Sequence, residues 1–272
     1  MILKKTVLVG SIVLLLSVTA VGQSFFMQDI PADKMKLTFR YLHPDVKGDD
    51  TLTFLSGAYD ASLSIPIGSQ LNIVGAIPFA AHNIEGEQAE SGIGNLYIGL
   101  EKRMKSTAEK DLSVSLGVFI PTGSKHKPSV VTMGLLTNEY EFFKFSPNTL
   151  TIHGNVSYHM ITPGGLMLGF ELGPEVAIPT ASNEGDTELL VHYGFSPSYR
   201  LGGLALTAEL GGICIITEHV DQFSDRFIHQ LAFGVQWMRG SFRPVIFYLL
   251  YLKEYLSDIV NGVIGIKLDL VL

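Results

Sequence analysis

The chain has 272 residues, a formal net charge of −7, 17% charged residues and a mean hydropathy of +0.31. An acidic chain without basic clusters carries no footprint for nucleic acid. Its single cysteine, Cys214, excludes an intrachain disulfide framework or a thiolate metal cluster. The apolar residues are also too dispersed for helical membrane spans: the longest run after the N-terminal segment, VIFYLLYL, is far short of the roughly 18 residues such a helix needs.

Residues 1–22 read as a secretory signal peptide. Lys4 and Lys5 form its basic start, Thr6 to Val18 its apolar core, and Ala20 and Gly22 a small-residue cleavage site. Cleavage would leave 17 basic residues against 26 acidic ones, a formal charge of −9, in one domain over 23–272.

Beyond the signal, apolar and polar residues alternate with a period of two, which is the pattern of a strand with one apolar and one polar face. Twelve segments are predicted as strands: 33–44, 54–66, 69–81, 91–104, 111–121, 149–160, 165–178, 187–200, 203–217, 226–239, 241–252 and 259–272. In the fifth, Leu112, Val114, Leu116, Val118 and Ile120 oppose Ser113, Ser115 and Gly117. In the sixth, Leu150, Ile152, Val156, Tyr158 and Met160 oppose Thr151, His153, Asn155, Ser157 and His159. The segments are long for a soluble sheet but suit a tilted bilayer crossing of roughly 9–11 residues. Their minor face is rich in Gly, Ser and Ala, as a narrow polar lumen requires. Aromatics recur near strand ends (Phe39, Tyr41, Tyr199, Phe227, Trp237, Phe242), like the girdles of membrane barrels. The predicted fold is therefore all-β, a transmembrane antiparallel up-and-down β-barrel of 12 strands, with 14 as the alternative.

The fourth segment, SGIGNLYIGLEKRM, also has to be weighed as a phosphate-binding loop. A dinucleotide fingerprint from Gly92 would need glycine where Tyr97 stands, and a P-loop from Gly94 would need lysine where Leu100 stands. The segment is a strand instead. Gly92 and Gly94 are expected to use glycine's freedom at positive φ where an outer loop bends into it.

Connection lengths set the orientation, since such barrels have short periplasmic turns and longer outer loops. IGS, KSTAEK, TPGG, LGG and RGS are tight; PDVKGDDT, HNIEGEQAE, TASNEGDT and TEHVDQFSD are longer and polar. An even count of strands makes 122–148 a single outer loop, folded over or into the mouth. If 129–145 spanned instead, the rhythm would break.

The polar parity supplies lumen-facing candidates: Asp60, His153, His159, Glu171, Glu175, His192, Arg200, Glu209 and Lys267. Asp269 joins the acids, with Lys36, Arg40, Arg103, Arg200 and Lys267 as partners in a mixed-charge lining, because buried charges need pairing. His153 and His159 lie six residues apart on one strand, roughly 20 Å, too far to share a metal. Glu171 and Glu175, roughly 13 Å apart on the same reasoning, are too widely spaced for glycoside hydrolysis. No catalytic residue, cofactor or metal is expected, and Cys214 falls on the apolar parity.

The stretches GIGNLYIGLEKRM, LSVSLGVFIPTGS, IHGNVSYH, LMLGFELGPE and GGLALTAELGG, in that order, resemble the outer-membrane proteins of the phenol-degradation meta-pathway. Those are distantly similar to hydrocarbon-uptake barrels of the long-chain fatty-acid transporter type. The chain departs from them in ending on Leu272 and in lacking an obvious N-terminal plug. The resemblance implies a passive route for small solutes in the bacterial outer membrane. The expected function is a channel or transporter for small hydrophobic or aromatic solutes, not an enzyme. Two alternatives stay open: a barrel lipid hydrolase using Ser157 with His153 or His159, and a non-conducting structural or adhesion barrel. Expected partners are outer-membrane lipid, the solute, further copies of the chain in a homo-oligomer and, during biogenesis, the barrel-assembly machinery; no nucleic acid is expected.

Overall fold

The computed structural model describes residues 27, 34–48, 51–86, 88–107, 109–123, 125–181, 185–217 and 223–272; the signal-peptide segment 1–22 lies outside them. The strands are β1 (Lys36–Val46), β2 (Gly57–Pro66), β3 (Leu71–His82), β4 (Glu90–Ile93), β5 (Leu96–Ser106), β6 (Lys110–Ile120), β7 (Thr149–Ile161), β8 (Leu166–Pro179), β9 (Glu188–Leu201), β10 (Leu204–Ile215), β11 (Phe227–Trp237), β12 (Phe242–Tyr251) and β13 (Val260–Val271). Each pairs antiparallel with its sequence neighbours, except that β4 and β5 both pair with β3 and not with each other, and β1 pairs with β13 from Lys36 opposite Val271 to Val46 opposite Val260. That seam closes the sheet into a 12-strand barrel, β4 and β5 being the two halves of one wall strand that both pair with β3. Closure leaves no sheet edge, the condition for strands to stand in hydrocarbon.

Parity divides the wall as the alternation requires. Ile98, Val156, Phe170, Leu172, Phe195, Leu206, Phe233, Ile246 and Ile266 point outward and are exposed. Ser113, Ser115, Asn155, Ser157, Ser196, Ser198, Thr207 and Gln236, on the other parity, are buried inside. In water so continuous an apolar exterior would drive aggregation; against acyl chains it is the required surface. Tyr199, Trp237 and Phe242 are exposed close to the tight turns that follow β9 and β11.

The segment between β6 and β7 does not span. It forms helix α1 (Pro128–Thr137) and a 3-10 turn over Glu139–Lys144, and both are packed into the mouth of the barrel. Val130, Met133, Tyr140, Phe143 and Phe145 are buried, and the first, third and last of these join a core with Leu42, Ala58, Ala80, Leu190, Ile213, Phe247, Leu249 and Tyr251 of the wall. The resemblance looked for a plug at the N-terminus, whereas here the middle of the chain supplies one. Met27, itself fully buried against the same core, adds a second contribution to the filling.

The plug also explains the split between β4 and β5. Gly92 and Gly94 do not take the positive φ expected of them, since neither is among the positive-φ glycines. Gly94 is small because the plug backbone presses on it: a Cβ there would lie 2.2 Å from the Lys144 carbonyl oxygen. Next to it the Asn95 amide donates to the same carbonyl at 2.7 Å. The Asn95 side-chain Nδ2 donates to the carbonyls of Phe143 (2.8 Å) and Ser146 (2.7 Å), and its Oδ1 accepts from the Gly123 N–H at 3.1 Å. The strand is broken so that its backbone and Asn95 can hold the plug. Asn95→Ala should therefore weaken plug docking by about 1–3 kcal/mol, the cost of stranding buried carbonyls. Faster hydrogen exchange confined to 122–148, with the strands unchanged, is the expected readout.

Candidate functional site

The turn after α1 carries Glu141 and Lys144 to the lumen wall, where β1 and β2 present Arg40 and Asp60 as a cross-strand pair. The four charges interlock. Arg40 Nη2 contacts Glu141 and lies 3.4 Å from Asp60 Oδ2; Lys144 Nζ contacts Asp60 and lies 3.0 Å from Glu141 Oε1. Each cation thus meets both carboxylates, and the set is neutral. Burial pushes the Glu141 carboxyl up, but Arg40 and Lys144 outweigh it and hold it below the usual carboxylate range. These side chains line a cavity between the plug and the wall. Val74, Ala76, Tyr97, Phe119 and Phe143 form its apolar side, and Lys36, Glu101, His153 and Lys267 complete the polar side. Tyr97, Phe119 and Phe143 pack in series as tilted ring pairs, with centroids 4.6 Å apart at each step.

His153, on β7, is cross-strand from Glu175 on β8, and its Nδ1 lies 2.9 Å from Glu175 Oε1. His192, on β9, brings its Nδ1 to 3.0 Å from the same oxygen. Glu171 accepts from the Tyr140 hydroxyl of the plug at 3.0 Å. Glu209 is buried and accepts from Ser196 at 3.4 Å. Lys267 is buried beside Asp269 at 3.4 Å and donates to the Met27 carbonyl at 3.3 Å. His159 is buried nearer the tight-turn end, in register with Asp111. Arg200 does not join the interior. It keeps the inward parity opposite Ala205 but stands exposed at the rim, its Nε donating to the Gly202 carbonyl at 3.2 Å. Its partner is a turn carbonyl because β9 ends one residue later. Arg103 is paired, 3.3 Å from Asp111.

The serine–histidine arrangement weighed for a hydrolase is not assembled: His153 contacts Glu175, and Ser157 accepts from Asn155 Nδ2 at 3.0 Å. Reasoning along single strands missed the plug charges Glu141 and Lys144 and the meeting of three strands at Glu175. The second was partly legible, since a tight turn at TPGG puts His153 opposite Glu175.

No protein-family model matches the chain, and no curated protein does. Solved structures do. The COG4313 outer membrane channel from Pseudomonas putida F1 aligns over 92% of this chain and 100% of that one, at 11% identity and a TM-score of 0.63. The KdgM porin aligns over 87% and 99%, at 4% identity and a TM-score of 0.51. The fold is that of an outer-membrane β-barrel. LpxR from Salmonella typhimurium also aligns, over 87% and 100%, at 12% identity and a TM-score of 0.46. One fold serves catalytic and non-catalytic proteins alike, so the expectation that this chain is not an enzyme does not stand.

One loop group titrates near neutrality. Burial lifts the Glu139 carboxyl from 4.5 to about 7, with Lys253 acting in the opposite sense. The docked plug binds this proton more tightly than the undocked one. The resulting stabilisation is complete below about pH 4.5 and is lost as the pH rises through about 7. A nitroxide on the exposed Thr132, in a Cys214→Ser background, should gain mobility between pH 5 and pH 8, and Glu139→Gln should abolish that dependence.

Proposed function

We propose that the barrel is a passive channel for small solutes and that the cavity beside the plug is the path they take. The observation that carries this reading is a cavity bounded by the barrel wall and an internal plug held by paired charges. One side offers packed aromatic rings and the other cationic and anionic groups, which suits a small aromatic solute bearing a polar substituent. The resemblance to the phenol-degradation meta-pathway proteins supports the same solute class, and the likeness to an outer membrane channel supports the transport role. Movement needs no energy input: a solute sheds water against Tyr97, Phe119 and Phe143 while its polar group trades partners along Lys36, Arg40 and Lys267.

The test is flux. Protein refolded into liposomes should admit small aromatic acids and alcohols, and in planar bilayers it should give discrete conductance steps. Folded protein that shows neither would favour the non-conducting structural barrel.

A further inference from the structure

We propose that His153, Glu175 and His192 form a binding site for a first-row divalent transition-metal cation, of which zinc is the type, inside the barrel and beneath the plug. Three adjacent strands bring the donors together. His153 faces Glu175 across the β7–β8 pair, and His192 is aligned with Gly173, one inward position along from Glu175. Gly173 is what admits the second imidazole: a Cβ there would lie 2.6 Å from the His192 ring and 1.9 Å from the Gly154 carbonyl oxygen. The donor atoms lie within 4.8 Å of one another, and all three residues are buried.

As a hydrogen-bonded cluster alone the arrangement is poor. His153 Nδ1 is within bonding distance of Glu175 Oε1, but His192 Nδ1, although only 3.0 Å from that oxygen, makes no hydrogen bond to it. Glu175 Oε2 is buried with no partner. The two imidazole rings stack face to face at 4.6 Å and 6°, so both present the same edge to one carboxylate. Buried polar atoms in this state are costly. A cation resolves it once the two imidazoles turn out of their parallel stack, because each nitrogen binds an ion lying close to its own ring plane. Donors at about 2.0–2.2 Å from zinc stand roughly 3.3 Å apart in a tetrahedral shell, close to the 2.9 and 3.0 Å separations present here. Two imidazoles and a carboxylate form a donor set that zinc accepts, with water or a solute group in the fourth position. His153 also lines the cavity, which gives the ion a way in.

The inference goes beyond transport and is tested independently of it. Full mature protein, folded in detergent and stripped with EDTA, is titrated with Zn2+ and, separately, with Co2+. One equivalent should bind at micromolar free ion. The cobalt form should show ligand-field bands of a four-coordinate site without the thiolate charge-transfer band that Cys214 would give. His192→Gln and His153→Gln should each weaken binding by about tenfold or more, while His126→Gln, on the outer loop, should not. X-ray absorption of the zinc form of the unaltered protein, showing two imidazoles and one carboxylate, secures the assignment if a variant fails to fold. No binding, a thiolate band, or an affinity indifferent to both histidine substitutions in folded protein would overturn it.

Discussion

Replacing Lys125–Lys144 by a short Gly-Ser linker should raise single-channel conductance by about an order of magnitude, because a 12-strand barrel without filling encloses an aqueous lumen. The removed residues include all of α1 and the following turn, which occupy the mouth and bury Tyr140 and Phe143 inside it. The wall itself should survive, since its ladders run from β1 through β13 without using the plug. Retention of heat-modifiable mobility on gels separates an opened barrel from a collapsed one, and planar-bilayer recordings measure the opening. Unchanged conductance in folded protein would mean that the constriction lies elsewhere and that the cavity is not the path.

Arg40→Ala should release the plug with the barrel intact. Arg40 touches Glu141 on the plug and approaches Asp60 on the wall; without it, two buried carboxylates share Lys144 alone. Removing one partner of a buried ion pair costs about 3–5 kcal/mol, most of it the penalty of the charge left behind. Arg40→Lys should recover only part, since an ammonium is a point charge without the guanidinium's several donors. Arg40→Ala combined with Glu141→Gln restores neutrality and should recover more. Trypsin cleavage at Lys144, which is buried while the plug is docked, followed by mass spectrometry, reports plug release, and thermal unfolding of the sheet reports the wall. Equal losses in both would show that the four charges support the barrel rather than the plug.

The wall was legible in the sequence because every strand has a lipid face and a lumen face, so side-chain period and strand geometry coincide. Leu112 to Ile120 and Leu150 to Met160 are cases where parity in the sequence became parity in space. The plug was legible only as a segment that broke the rhythm. Its helix, PSVVTMGLLT, has no clear apolar stripe because it is enclosed by the wall rather than lying on a surface. A helix covered on several sides gives no amphipathic signal. Gly94 and Asn95 looked like the start of a strand, and their actual role depends on a backbone some fifty residues away. The pairing of His153 with Glu175 was readable from the tight β7–β8 turn, but reading each strand alone missed it. The approach of His192 was not readable, because the β8–β9 connection is too long to fix a register.

The seam between β1 and β13 puts the timing of closure under the control of the barrel's final strand. Lys36 meets Val271, nearly the whole length of the barrel's sequence away, and the entropy of joining such distant strands is recovered only when the full ladder forms. Before that, β1 and β12 each present a bare edge ready to pair with any other strand. The nascent chain therefore has no early resting point: held short of β13 it is an aggregation hazard, and shutting the cylinder is a single late event. The plug, encoded midway, is already synthesised when that event occurs, so the barrel can close around its own filling.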